Sequence, residues 1–434
     1  MANKIFVLFF VLLLGGFCTA QQHLTLNDAI ATALKNSYDI KLAKDNLEIA
    51  GINNHIGVAG GLPVVNAAAN DNETVTSINQ KFPDPARNVK RSGVSTNNLT
   101  ASITGGILLY NGFRVKATKK RLEELEALNQ DLLNVQIQNT IAEVSTRYYD
   151  IVRQQYFLGT IVKSMEVSKQ RITILQNRKD IGLANNTDIF QAQLDYNALI
   201  QSEKAQQLVI DQGKTDLLNL IFVNPDSAIV INDTIVIDQS IQFNQIKSLA
   251  IKNPTIKAAE QQIKINELLE RETAALRSPT LRATTGFNLT NTTSAAGFIL
   301  QNQSYGPFVG LNLAVPIYNG SINKRLQKVA EINTRIAKTQ RNGFILTIET
   351  GATRTFQAYS NTISQLKTAQ ENLDLSKRLL DLVLQRFQLG QSTIIDVKIA
   401  QQSFENESYR LVNLAYTAKI AEIELKRLAN LLQP

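Results

Sequence analysis

Two aspartates, Asp188 and Asp396, stand in the same local pattern: an arginine, a glycine four residues on, and the acid six residues after the glycine (Arg178, Gly182, Asp188; Arg386, Gly390, Asp396). A carboxylate entering a helix favours the positive end of the helix dipole by about 0.3–1 kcal/mol. Gly182 and Gly390 suit a left-handed helix C-cap, which a residue without Cβ enters at least cost. Arg178 and Arg386 either pair with nearby acids or place positive charge at a helix C-terminus. Thr187 or Asp188, and Thr393 or Asp396, can then cap the amides of the next helix.

Other chemistry lacks its parts. No phosphate-binding Gly-x-x-x-x-Gly-Lys-Ser/Thr, dinucleotide fingerprint or Gly-x-Ser-x-Gly occurs, and neither His23 nor His55 has a second histidine at metal spacing. No enzyme, cofactor or metal site is expected. The formal net charge of +8 comes from lysines and arginines scattered among nearly as many acids, a solvated-face pattern with no nucleic-acid footprint.

The stretches Arg178–Tyr196 and Arg386–Phe404 align without a gap at an offset of 208 (386 − 178), and the offset holds for Tyr110-Asn111-Gly112 on Tyr318-Asn319-Gly320 and for Tyr148 on Phe356. The chain is therefore a duplication. In each copy an alternating run of period two precedes Tyr-Asn-Gly: Leu99, Ala101, Ile103, Ile107 and Leu109 in the first, Val309, Leu311, Leu313, Val315 and Ile317 in the second. Such alternation predicts strands. We expect them at about 64–75 and 97–110, and at about 280–292 and 305–318. After each Tyr-Asn-Gly, nearly 70 residues without proline carry apolar positions at steps of three and four, which predicts a coiled-coil helix of roughly 100 Å. The shorter return helices, Thr187–Phe222 with Ile246–Arg277 and Thr393–Leu432 with Asn27–Gly60, sum to the same length.

The predicted organisation is a signal peptide over 1–20, with Lys4, an apolar run and Cys18-Thr19-Ala20 as its cleavage site. Lipidation at Cys18 is the alternative to removal, although Phe17 occupies a place where a lipobox needs a small residue. A first repeat over 21–221 has its hairpin at 113–221 and its tip at 182–188. A linker element over 222–245 follows, then a second repeat over 246–434 with its hairpin at 321–432 and its tip at 390–396. Strands with one apolar and one Ser/Thr/Asn/Gly face suit a tilted outer-membrane span. Four cannot close alone, and lipid tolerates no open sheet edge, so other copies must complete the barrel. Three copies would supply twelve strands. Tyr110, Phe113, Phe298, Tyr305, Phe308 and Tyr318 would serve as the aromatic belts. The competing reading is a periplasmic coiled-coil adaptor or structural hairpin protein.

The duplicated order, with strand pairs ending in Tyr-Asn-Gly and Arg-x-x-x-Gly tips followed by an aspartate, resembles the TolC-like outer-membrane efflux family over Leu24 to Leu432. The resemblance implies a mostly α fold with a membrane β-barrel: a homotrimer whose 12-stranded barrel continues as an α-helical barrel through the periplasm. It further implies outer-membrane lipids around the barrel, and an adaptor (membrane fusion) protein and an inner-membrane transporter as partners. Asp188 and Asp396 would then line the periplasmic aperture. Arg178, Gly182, Arg386 and Gly390 would form the tips where adaptor hairpins dock, and the two Tyr-Asn-Gly sequences the barrel-to-helix junctions. The aromatic and basic link partners of the best-known member are not matched, since Phe387 and Ser392 stand in their places, and the acid often found three residues after the aspartate is replaced by Gln191 and Ile399.

Overall fold

The computed structural model describes residues 22–295 and 299–433. The leader, with Cys18, and Phe298 lie outside the described residues. The elements are β1 (Gln22–His23), α1 (Leu26–Asn36), α2 (Tyr38–Asn53), β2 (Val64–Gln80), β3 (Val89–Tyr110), α3 (Arg114–Asp180), α4 (Asn186–Leu220), β4 (Ile229–Val230), α5 (Phe243–Ala250), α6 (Pro254–Ala275), β5 (Thr280–Ser294), β6 (Gln301–Ala314), α7 (Ile322–Gln388) and α8 (Ile394–Leu428). Contacts divide the chain into a sheet-bearing unit, Asp45–Asp131 with Lys257–Asn342, and a helical unit built from the residues up to Lys44, Leu132–Ile256 and the residues from Gly343.

In the sheet-bearing unit, β2, β3, β5 and β6 form one antiparallel sheet in that order, leaving one edge of β2 and one of β6 unpaired. Registers set Ala67 beside Ile103, Ile103 beside Phe287 and Phe287 beside Pro307. One row further, Asn66, Thr104, Gly286 and Phe308 line up. Successive side chains point to opposite faces, so one face is largely apolar and the other largely polar. The apolar face is uncovered in the single chain: Val309, Leu311 and Leu313 are among its most exposed residues.

The strands differ from the sequence expectation at four ends. β2 continues past Val75 to Gln80 and β3 starts at Val89 instead of about 97. Apolar alternation stops there, but the backbone ladder needs none, and Asn97 donates to Asp71 at 2.7 Å and Ser95 to Glu73 at 2.6 Å across it. β6 begins earlier, at Gln301, and ends at Ala314; Pro316 has no N–H to offer a ladder.

The return helices also break where a single run was expected. Ser37 leaves helical geometry between α1 and α2, and α6 opens on Pro254, which suits a first helical position. Within the helical unit, Tyr148 is the largest apolar side chain of a core that holds Ile30, Val144, Ile151, Leu217 and Ile231. Its hydroxyl donates its one proton to Asp233 at 2.5 Å, with the Leu24 carbonyl 3.0 Å away as the alternative acceptor, holding the N-terminal segment where β1 pairs in parallel with β4.

Candidate functional site

Both tips are closed by the same backbone device. Gly182 and Gly390 have φ of +78° and +82°. In each, the glycine N–H bonds the carbonyl three residues back (Lys179 at 2.9 Å, Phe387 at 3.1 Å) and the next N–H returns to the arginine carbonyl (Arg178 and Arg386, both 2.8 Å). These bonds satisfy orphan carbonyls at the ends of α3 and α7.

The N-caps beyond the tips diverge. Asn185, rather than Thr187 or Asp188, caps α4, accepting the Asp188 N–H at 2.9 Å. Thr393 caps α8 in a reciprocal box: its hydroxyl accepts the Asp396 N–H at 3.2 Å while the Asp396 carboxylate accepts the Thr393 N–H at 2.8 Å. Hydrogen bonds from the Thr393 backbone and side chain, with Arg386 nearby, hold the Asp396 carboxyl below the usual range. Asp396 is exposed and Asp188 half-buried, so both are charged groups close to a tip.

Arg178 and Arg386 are not equivalent in use. The Arg178 guanidinium lies 4.5 Å from the Phe387 ring centroid and donates to the Phe387 carbonyl, so the first hairpin caps the C-terminus of the second. Arg386 is exposed and, among the described residues, donates only to the Gln391 carbonyl, at 3.5 Å.

One polar contact escaped the sequence reading. Arg171, 1% exposed on α3, donates to Asp195 of α4 at 2.9 Å, and Lys398 of α8 donates to the same carboxylate at 3.2 Å. Burial raises the Asp195 pKa, but hydrogen bonds from Gln191 and Lys398 and the charges of Arg171 and Lys398 outweigh it, leaving the carboxyl below its ordinary value. A basic residue on the apolar stripe of α3, one step from Val167 and Leu175, was the available signal. Its partner, 203 positions from Lys398, was not.

The junctions are also unequal. Gly112 (φ +68°) precedes Phe113 (φ +63°), and Gly320 (φ +65°) precedes Ser321 (φ +62°), so each strand-to-helix turn uses two left-handed residues. Asn111 is buried and accepts the Val115 N–H at 3.4 Å, and Tyr110 meets Phe113 edge-on at 5.6 Å. Tyr318, Asn319 and Gly320 are exposed. A Cβ on Gly112 would stand 2.5 Å from Ser278 Cβ, whereas one on Gly182 meets nothing. Gly112→Ala should therefore cost the left-handed term of about 1–2 kcal/mol and an overpacking term of about 1–3 kcal/mol. Gly182→Ala should cost the first alone. Thermal melts of the two purified variants compare them directly.

Two long helical hairpins of equal build and one open four-stranded sheet define the class of fold. The outer membrane efflux protein family profile matches residues 246–431. Outer membrane efflux protein BepC of Brucella suis is 21% identical over 424 residues, covering 96% of this chain and 88% of BepC. Outer membrane protein TolC of Escherichia coli is 22% identical over 347 residues, 77% of this chain and 70% of TolC. Among solved structures, the outer membrane protein VceC of Vibrio cholerae superposes with a TM-score of 0.75 at 18% identity, covering 93% of this chain and 95% of VceC. The chain is thus similar to TolC-like outer-membrane efflux proteins over most of its length and matches the efflux-protein profile over its second half, which supports an outer-membrane export duct.

Proposed function

We propose that three copies close the sheet into a 12-stranded barrel and their helices into a tube, through which an inner-membrane transporter, joined by an adaptor protein, expels its substrates. The reading is carried by one observation: a four-stranded sheet with an uncovered, largely apolar face and two unpaired edges. In lipid each unpaired N–H or C=O costs several kcal/mol, so such a sheet must be closed by strands from elsewhere. The duct performs no catalysis; the partner transporter supplies the energy. The test is the mass of the detergent-extracted protein by light scattering, corrected for bound detergent. Three chains per particle support the reading, and a monodisperse monomer or a detergent-free soluble protein ends it.

Asp188 and Asp396 supply the acidic lining of the periplasmic aperture. Asp396→Asn together with Asp188→Asn should lower cation preference in planar-bilayer recordings, because close-range rings of charge set selectivity. Unchanged reversal potentials in a salt gradient would assign both residues to helix capping alone.

Adaptor hairpins dock at the tips, on the surfaces around Gly182 and Gly390. A Cβ on Gly182 meets nothing within 4 Å and one on Gly390 only the Arg178 Nη2 at 3.7 Å, an ordinary contact, so docking can be separated from capping. Asparagine tolerates the left-handed conformation, so Gly182→Asn and Gly390→Asn should leave the thermal midpoint within a few degrees while placing an amide on the docking surface. Reduced co-purification with a co-expressed membrane-fusion adaptor, at unchanged trimer mass, is the expected outcome. Full co-purification would remove docking from these positions.

A further inference from the structure

Within the chain, the first hairpin presents a donor face to the second: Val167 and Leu175 of α3 share a cluster with Leu380, Phe387 and Phe404, buried Arg171 lies one step from each, and Arg178 stands at the end. At the offset of 208 these become Leu375, Leu379, Val383 and Arg386 of α7. On the second hairpin Val383 packs against the intrachain core, but the rest of this face is uncovered: Leu375 is 62% exposed, Leu379 48% and the adjoining Leu382 58%. On the receiving side, Phe387 is buried while its counterpart Lys179 is exposed; Lys398, itself exposed, corresponds to Phe190, which is 60% exposed.

The two hairpins are built alike, with helices of 67 and 35 residues in each copy and the same glycine caps. A donor face on the second hairpin and a receiving face on the first, each left open in one chain, are the two halves of one repeated contact. From this we infer that the Leu375–Leu379–Leu382 stripe docks on the first hairpin of a second copy of this chain, against Phe190. Arg386 there caps the C-terminus of the neighbour's α3, as Arg178 caps α7 within the chain. The inference rests on the trimer reading and adds the register and chemistry of its contact.

The substitutions at the contact are coordinated. The intrachain triad Arg171, Asp195 and Lys398 is replaced, position for position, by Leu379, Ser403 and Phe190. Three charged groups give way to two large apolar ones and a hydroxyl, and no unmatched charge is left among these three positions. Unpaired burial of any one of the three charges would have been costly, whereas burial of leucine against phenylalanine is favourable by area alone. The hairpins are thus joined inside each chain by an apolar cluster that includes a charged triad, and between chains by a contact with no such triad. A second pair of open stripes, Ile322, Leu326 and Val329 of α7 and Ile49 and Ile52 of α2, occurs in the sheet-bearing unit.

The test is cysteine pairing in the full-length, detergent-extracted protein, using Leu379→Cys with Phe190→Cys and a short bis-maleimide. Bands of dimer and trimer mass on denaturing gels, absent from either single variant, are expected. Arg171→Cys with Lys398→Cys should link within the chain and leave the monomer mass unchanged. A particle of three chains in which the first pair fails to link, or links only within one chain, overturns the inference while the trimer reading survives; another occupant, such as an adaptor hairpin, then covers the stripe. A monomeric particle overturns both. As an independent measurement, Leu379→Asp should lower the temperature at which the trimer dissociates in detergent without changing its helix content. An unshifted dissociation temperature counts against the stripe.

Discussion

Asp195→Ala is expected to open the periplasmic end and to lower stability by about 3 kcal/mol, near the lower bound for breaking a buried ion pair because the carboxylate keeps some solvent contact. The reason is what it leaves behind. Arg171 is buried, its Nε is unpaired, and Asp195 is the only carboxylate bonded to it among the described residues. The same carboxylate holds Lys398, two residues past Asp396, so losing it frees α8 from α3 and α4 next to the tip. The readouts are single-channel conductance, expected to rise, and the thermal midpoint, expected to fall. Acid should reproduce the effect in the unaltered protein. The Asp195 pKa is lower in the folded chain than in the unfolded one, so its stabilisation is complete above the ordinary carboxylate pKa and is lost as pH falls through the depressed folded value. Conductance should climb only in that acidic window, and Asp195→Ala should abolish the climb. A conductance independent of both residue and pH would refute the role of this contact in closure.

Glu422→Leu is expected to be the most destabilising change in the helical unit, by about 3–5 kcal/mol. Glu422 is 2% exposed and accepts three bonds, from Lys419 Nζ and Lys426 Nζ at 2.9 Å each and from the Asp238 N–H at 2.9 Å. Leucine of similar bulk strands Lys419 and a backbone N–H. The effect should reach the segment before α5, because Lys426 also pairs with Asp238 at 3.0 Å and Tyr359 donates to the Asp238 carbonyl. Hydrogen bonds from Ser240 and Lys426 draw the Asp238 carboxyl down to about 2. Its contribution is therefore complete above the ordinary carboxylate pKa and is lost as pH falls through about 2. Limited proteolysis between Val223 and Gln242 should accelerate in Glu422→Leu at neutral pH, and in the unaltered protein only in strong acid. Equal cleavage rates for the two proteins at neutral pH would show that the segment is held by its apolar contacts, Ile246 and Ala250 among them, and not by Glu422.

Much of this was legible in the chain. Local periodicities fixed the strands and long helices because each depends on a pattern of two or of three and four, and the duplication exposed the tips as Arg-x-x-x-Gly twice over. Ladder length was less legible: β2 and β3 outrun their alternation because backbone pairing continues where the alternating apolar side chains stop. Pro254 and Pro316 marked two breaks that the apolar period alone ran through. The intrachain triad was hidden for a different reason. Asp195 joins partners that are neighbours only after two hairpins pack, and its own counterpart, Ser403, carries no charge, so the repeat that revealed the tips concealed the contact beside them.

The equal helices of the two halves also constrain how the chain can change. One residue inserted into α3 would turn everything beyond it by about 100° and advance the tip by about 1.5 Å. Arg178 would leave the end of α7, and the tips would stand at unequal depth. A matching insertion in α7 would restore the depth but not the facing of residues against α4 and α8, which would need a full turn or a compensating change of their own. The β2–β3 and β5–β6 connections carry no such phase, since a longer loop there rotates nothing behind it. Natural length variation should therefore collect at the sheet's loops and enter the hairpins only as paired, whole-turn steps in both halves at once.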